Sequence, residues 1–134
     1  MTAQLSSATD AGAAFVAALA ERDFGRLADV LAPGARMRAL IPPGPIELHG
    51  AEQAAAKFAS WFGSAEGFEL LRSVTDEVGD RIHVSYRLRV KRTGNPWQVV
   101  EQHLFCSLED GLITALDLVC TGFRPERTVS RAAA

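Results

Sequence analysis

Cysteine is scarce in this sequence, and its scarcity excludes two classes of small protein. Two cysteines among 134 residues are too few for the disulfide framework of a small secreted domain, and neither has the paired Cys/His spacing of a zinc site. Cys106 and Cys120 each lie inside an apolar, strand-like run. We therefore expect both to be reduced core thiols, with a disulfide as the weaker alternative.

An excess of charge of one sign and long apolar runs are lacking as well. The 14 basic and 16 acidic residues are scattered along the chain, so no basic stripe is available to neutralise nucleic-acid phosphates. No apolar run approaches the roughly 20 residues that span a bilayer, and the first residues lack the basic and apolar regions of a secretory leader. These absences predict a cytoplasmic protein with no nucleic-acid partner and no membrane partner.

Motifs that would hold a cofactor or a metal are also missing. The chain has no glycine-rich phosphate loop and no nucleophile elbow. Its three histidines, His49, His83 and His103, fall on different predicted elements, and no local His/Asp/Glu group of the kind that ligates a metal surrounds them. We therefore expect no metal site and no cofactor.

What the sequence does contain is hydrophobic periodicity of two kinds. Apolar residues recur at helical spacing in residues 7–22, 24–31 and 51–62. Runs rich in β-forming residues follow the second helix and fill the second half of the chain, at residues 36–41, 45–49, 68–77, 81–92, 97–108 and 112–123. Glycine-containing turns between the later runs indicate an antiparallel meander. The predicted class is α+β, with three helices packed on a curved antiparallel sheet.

The two central predicted strands differ in how regularly apolar and polar side chains alternate along them. Residues 81–92 place apolar side chains on one face and polar side chains on the other. In residues 97–108 one alternate set is almost purely apolar, whereas the other set is mixed and contains Glu101 and His103. Two alternatives follow. Either the mixed set is solvated, or both faces of the sheet are covered, one by the helices and one by a partner subunit.

Four short stretches carry a family resemblance: FVAALAERDF at residues 15–24, LAPGA at 31–35, His49-Gly50 before a helix, and DGLI at 110–113. Together they resemble the nuclear transport factor 2-like superfamily, which includes SnoaL-like polyketide cyclases, ketosteroid isomerases and limonene epoxide hydrolases. The resemblance runs from Ala11 to about Phe123. It implies one SnoaL-like domain over residues 1–124. Residues 125–134, which are mostly polar and then only alanine, are expected from this composition to be a disordered tail. The resemblance also implies a cystatin-like fold whose helices and sheet enclose a conical pocket, and a homodimer that forms through the outer face of the sheet.

The catalytic residues of two groups in the superfamily are missing at the matching positions. The oxyanion-hole tyrosine and the general-base aspartate of the ketosteroid isomerases fall on Phe15 and Ala39, and their protonated aspartate falls on His103. The aspartate of the epoxide hydrolases falls on Leu118, with Asp117 on the opposite face. Neither standard activity is expected, because phenylalanine, alanine and leucine cannot transfer a proton.

The resemblance nevertheless implies a pocket with identifiable residues. The implied lining residues are Phe15, Trp61, Phe105, Leu116, Leu118 and Cys120. His103 is the leading candidate for proton transfer because an imidazole titrates near neutral pH, and Tyr86 and Glu101 would assist it. Each of the three also has a structural alternative: His103 as a hydrogen-bonded core histidine, Glu101 as a solvated carboxylate, and Tyr86 as a packing residue.

Two functions remain open at this point. The first is a SnoaL-like enzyme that performs cofactor-independent acid/base chemistry, as an isomerase, cyclase or hydrolase, on a small and mostly apolar substrate. The second is a non-catalytic module for small-ligand binding or dimerisation. A homodimer is expected because a second apolar face would otherwise be exposed. Its residues are Val100, Leu104, Cys106, Leu108, Ile113 and Val119.

Overall fold

Three helices form where the periodicity predicts them. The computed structural model describes residues 7–126. The helices are α1 (Ser7–Ala20), α2 (Phe24–Val30) and α3 (Ala51–Phe62). Asp23 begins α2 because its side chain accepts a hydrogen bond from the backbone N–H of Arg26 at 3.1 Å, the usual N-cap role of a short polar residue. The predicted helices are confirmed, with ends that differ by two residues at most.

The strands form one seven-stranded sheet. They are β1 (Leu31–Ile41), β2 (Gly44–His49), β3 (Gly67–Val78), β4 (Arg81–Lys91), β5 (Trp97–Glu109), β6 (Leu112–Cys120) and β7 (Arg124–Pro125). Their order is β2-β1-β6-β5-β4-β3, and β7 pairs with the beginning of β5. The antiparallel meander from β3 to β6 is as predicted, with Gly79 and Gly111 at positive φ in two of its turns.

One pair of neighbours is parallel, so the sheet is mixed rather than wholly antiparallel as predicted. β1 lies beside β6 in the same direction, with Met37 opposite Leu116 and Ala39 opposite Leu118. Turn signals report only on strands that follow one another, whereas β1 and β6 are far apart in sequence. This pairing joins the β1–β2 hairpin to the meander and completes the curved sheet on which the helices pack.

The helices cover one face of the sheet, which we call the inner face; the opposite one is the outer face. α1 packs on β3 and β4, and α3 packs on β1. The alternation of β4 predicts its inner face correctly, since these side chains are all buried: Ile82, Val84, Tyr86, Leu88 and Val90. The core of the protein therefore lies between the helices and this face.

The inner side chains of β5 correct the predicted dimer surface. Val100, Leu104 and Cys106 are at most 1% exposed, and Ile113 on β6 is equally buried, because all four pack beneath the helices. Val119 differs, since it points outward and is 48% exposed. The almost purely apolar set of β5 is thus part of the core rather than a second apolar face, and the mixed set faces outward.

The last described residues belong to the sheet. Pro125 lies opposite Gln98 in the β5–β7 pair, and the carboxylate of Glu126 accepts hydrogen bonds from Arg89. The rest of the predicted tail, residues 127–134, lies outside the described residues.

None of the helices in residues 7–126 has the length and hydropathy of a membrane-spanning segment.

Candidate functional site

A small cavity lies between the inner face and α3. Its volume is about 70 Å³. It lies between the end of β1, the end of α3, the inner face of β5 and the segment after β6, and its lining residues are Ile41, Pro42, Trp61, Phe62, Val100, Gln102, Cys120, Gly122 and Phe123. The cavity is mostly apolar, as expected of a small-molecule site with few polar contacts.

One polar side chain forms the floor of this cavity. Gln102 is 0% exposed. Within residues 7–126, every other side chain that carries an amide, an aliphatic hydroxyl or a charge is at least partly exposed. Oε1 of Gln102 accepts a hydrogen bond from the hydroxyl of Tyr86, which lies directly opposite on β4. Its Nε2 donates to Sγ of Cys120 at 3.2 Å. Thiol sulfur is a weak acceptor, so the amide donor of Gln102 is incompletely used.

Tyr86 and Cys106, two ionisable groups on the inner face, are held in their neutral forms. Burial is the main cause that raises the pKa of Tyr86 well above its usual range, and the nearby Cys120 and Cys106 add to the shift. Burial also raises the pKa of Cys106 to about 12. Among the described residues that line the cavity, none is a carboxylate or an imidazole. The described lining residues therefore offer an amide and a thiol for hydrogen bonding, but no carboxylate or imidazole to act as a base.

Most of the residues predicted to line a pocket do lie on the inner side. Trp61 and Cys120 line the cavity. Leu116 and Leu118 are buried on the inner face but do not line the cavity. Phe15 is fully buried, and its ring packs on Phe58 at 5.4 Å and on Tyr86 at 6.3 Å between ring centroids. Tyr86 also lies on this side, as predicted.

Glu101, His103 and Phe105 lie on the outer face, which corrects the expectation that they line the inner cavity. Glu101 and His103 line a separate outer pocket of about 210 Å³ to which Tyr86 also contributes, but the Tyr86 hydroxyl is hydrogen-bonded to Gln102 on the inner side. A displacement of one residue along a strand turns every side chain to the opposite face. In β5 the inward-facing residue is Gln102, the neighbour of His103. The sequence contained a signal for the correct choice, since Gln102 is the single polar member of the almost purely apolar set of this strand.

On the outer face, three side chains form a chain of hydrogen bonds and a fourth stacks on it; we call these four residues the outer cluster: Glu101, His103, His83 and Phe105. His103 Nε2 lies 2.9 Å from Glu101 Oε2, and His103 Nδ1 lies 2.9 Å from His83 Nε2. A carboxylate can only accept, so Nε2 of His103 carries a proton, and Nδ1 accepts from His83 when His103 is neutral. Phe105 stacks on the ring of His83 at 4.7 Å between centroids.

Carboxylates on the outer face are held in their charged forms. The hydrogen bond from His103 is the largest cause that lowers the pKa of Glu101, and Arg87 contributes further. The hydrogen bond from Arg38, at 2.8 Å, is the largest cause that lowers the pKa of Asp117, and Arg81 lies 2.9 Å away.

In residues 7–126, no group of three or more His, Cys, Asp or Glu side chains is arranged to hold a metal ion.

The fold and the cavity define the class of protein. Three helices on the concave side of a curved mixed sheet, with a cavity between the two layers, are the architecture of the nuclear transport factor 2-like superfamily. Within it, the chain belongs to the SnoaL-like domain family, whose model matches residues 13–116. The resemblance inferred from short sequence stretches is thereby confirmed.

Solved structures with the same fold are numerous and distant in sequence. One is a hypothetical protein with a ketosteroid isomerase-like fold from Catenulispora acidiphila in complex with trimethylamine, with 17% identity, a TM-score of 0.66, and coverage of 79% of this chain and 81% of that chain. Another is a proposed polyketide cyclase from Xanthomonas campestris, with 20% identity, a TM-score of 0.65, and coverage of 84% and 89%. A third is an LEH-like epoxide hydrolase from M. tuberculosis, with 19% identity, a TM-score of 0.67, and coverage of 86% and 83%. No curated protein sequence matches this chain significantly.

Proposed function

We propose that this SnoaL-like domain binds a small, mostly apolar molecule in the inner cavity and holds an oxygen atom of that molecule through Gln102. The observation that carries the proposal is the fully buried amide at the cavity floor. A buried amide without good partners costs about 1–3 kcal/mol, and the donor of Gln102 is directed at a thiol sulfur. A carbonyl or hydroxyl oxygen of a ligand would be a stronger acceptor.

The first test uses cyclohexanone and cyclohexane as probes that differ in one oxygen. Cyclohexanone is expected to shift the side-chain amide resonances of Gln102 in a ¹H–¹⁵N spectrum, and to bind about tenfold more weakly to Gln102→Leu than to the native protein. Gln53→Leu, on the exposed surface of α3, is the matched control. Equal affinity of the native protein and Gln102→Leu for cyclohexanone would rule out the assigned role of Gln102.

A second candidate is an enzyme of the isomerase or cyclase type, which acts on a substrate carbonyl in the same cavity. It is favoured by the chain from Tyr86 through Gln102, because hydrogen bonds in series polarise one another and an aligned donor stabilises developing negative charge. His103 cannot serve as its proton-transfer group from the outer face. Turnover of a carbonyl substrate that survives in His103→Gln but falls at least about tenfold in Gln102→Leu would support this candidate.

We also propose a homodimer through the outer face, as the resemblance implies, although of the predicted apolar surface only Val119 is among its large exposed side chains. Large apolar side chains are exposed on this face, namely Leu40, Val74, Val78, Phe105 and Val119. Such patches on a soluble domain mark interaction sites. Sedimentation at micromolar concentration should give a dimer that Phe105→Glu weakens and Leu71→Glu, at the exposed bulge of β3, leaves intact. A native protein that is monomeric under these conditions would refute the proposal.

A reducing, cytoplasmic location is part of the same proposal. Both cysteines are free thiols, as predicted, and free thiols persist in compartments that are kept reduced. Fractionation of cells that produce the native chain should recover it with cytoplasmic markers, and recovery from an oxidising compartment would contradict this assignment.

A further inference from the structure

The inner cavity shares a wall with a wider groove. The groove has a volume of about 350 Å³ and is lined by Ser60, Trp61, Ser64, Arg92, Thr93, Asn95 and Phe123. Trp61 and Phe123 line both spaces. A ligand that entered between these two rings would have one end in the apolar cavity and the other end in the groove.

The groove differs from the cavity because it contains a charged side chain in a fixed position. Nε and Nη2 of Arg92 donate to Oε1 of Gln98 at 3.1 and 3.0 Å. The guanidinium also lies over the ring of Phe123, 3.8 Å from its centroid. An arginine that is oriented before a ligand arrives loses little side-chain entropy on binding, and its planar donors suit a carboxylate.

The charge of Arg92 has no carboxylate partner among the described residues. Its hydrogen-bond partner Gln98 is a neutral amide, and none of the ion pairs within residues 7–126 includes Arg92. Glu66 accepts a hydrogen bond from the adjacent Thr93, but its ion-pair partner is Lys91. Nη1 of Arg92 likewise makes no hydrogen bond within the described part of the chain.

The segment that carries Phe123 is short, and Thr121 anchors its beginning: its N–H donates to the carbonyl of Glu101 and its Oγ1 accepts from the N–H of Glu101, both at 3.0 Å. The segment connects β6 to the two-residue strand β7, and Gly122 before Phe123 has a φ of 77°, a conformation that glycine adopts without strain. The N–H of Gly122 donates only to the sulfur of Cys120, at 3.3 Å. Movement of Phe123 away from Trp61 would join the two spaces at the cost of the ring contacts of Phe123 with Phe62 and with Arg92. Arg92 would keep its hydrogen bonds to Gln98.

From this juxtaposition we infer that the ligand is an amphipathic acid, whose anionic group binds Arg92 in the groove and whose apolar part passes between Trp61 and Phe123 toward Gln102. This inference rests on the proposed binding function of the inner cavity. It narrows the ligand class from an apolar molecule with an oxygen to one that also carries a carboxylate or a comparable anion. The apolar part is short, because the inner cavity has a volume of only about 70 Å³.

The test compares hexanoate with 1-hexanol, two probes of equal chain length, by calorimetric titration of the full chain. The native protein should bind hexanoate about tenfold more tightly, because a hydrogen bond to a charged group contributes more than a neutral one. Arg92→Gln should lose this preference, and Arg92→Lys should keep part of it. Arg124→Gln removes the same charge from the exposed strand β7 and should behave like the native protein.

The outcomes separate this inference from the proposed function. Equal affinity of the native protein for hexanoate and 1-hexanol overturns the inference and leaves binding in the cavity intact. A preference for hexanoate that persists in Arg92→Gln also overturns it. Failure of the native protein to bind either probe overturns both proposals. Circular dichroism checks that Arg92→Gln is folded before its affinities are compared. If Arg92→Gln does not fold, the affinities of Arg92→Lys for hexanoate and 1-hexanol are compared instead.

Discussion

The two faces of β4 and β5 are built from alternate residues of the same strands, yet their chemistry is opposite. On the inner face, burial raises the pKa of Tyr86 and Cys106, so both stay neutral. On the outer face, hydrogen bonds to basic partners lower the pKa of Glu101 and Asp117, so both stay charged. The comparison teaches that the inner face is suited to bind an uncharged group, whereas the titratable groups emphasised by the sequence belong to the outer face.

The largest expected effect is on the reactivity of the Cys106 thiol on the inner face. In Cys120→Ser, Cys106 is the remaining cysteine, and its pKa of about 12 leaves roughly one thiolate in ten thousand at pH 8. Iodoacetamide should modify it slowly in the folded protein and rapidly in urea, as followed by mass spectrometry. Equal rates in both conditions would contradict the burial of the inner face.

The next effect contrasts adjacent residues of β5. Leu104 is 0% exposed and Phe105 is 37% exposed, so truncation leaves a cavity at only one of them. Leu104→Ala is expected to lower the free energy of unfolding by about 2–5 kcal/mol, whereas Phe105→Ala should lower it by less than about 1 kcal/mol. Urea denaturation at two protein concentrations separates these losses from any change in self-association. Similar losses at both positions would show that the faces are wrongly assigned.

A smaller effect is expected from the carboxylates of the outer face. Because the folded pKa of Glu101 and Asp117 is lowered, their contribution to stability is present above the unfolded values near 4 and is lost as pH falls through the folded values. Each contribution is at most about 1 kcal/mol, since both side chains are partly exposed.

Glu101→Gln and Asp117→Asn should therefore lose less stability than the native protein between about pH 5 and pH 2. Thermal unfolding across this range measures the difference, and Glu52→Gln, on the exposed surface of α3, is the control. Parallel pH profiles for the native protein and both variants would exclude the stabilising pairs.

The smallest effect separates the outer cluster from the cavity. His103→Gln should change the affinity for cyclohexanone by less than about twofold, because mutations without shared contacts act independently, and His103 lies on the opposite side of the sheet from Gln102. Nuclear magnetic resonance titration measures both affinities. A tenfold loss in His103→Gln would couple the two faces and restore the role first assigned to this histidine.

Much of the fold could be predicted from local patterns, whereas the site was predicted only in part. The helices, the meander and the inner set of β4 follow from periodicity, because each pattern is repeated several times within one element. Tyr86, Trp61 and Cys120 were placed on the correct side. His103 and Glu101 were not, because the face of β5 depends on a register that a resemblance of a few short stretches does not define.

By itself the sequence determined the α+β class, the free thiols and the family, since composition, alternation and turn residues act locally and leave a direct record in the chain. Only the tertiary structure decided which set of β5 packs beneath the helices, that β1 pairs in parallel with β6, and that Gln102 rather than His103 meets the cavity. The reason is physical: helices bury whichever face leaves the fewest charges without water, and that choice depends on all the strands together.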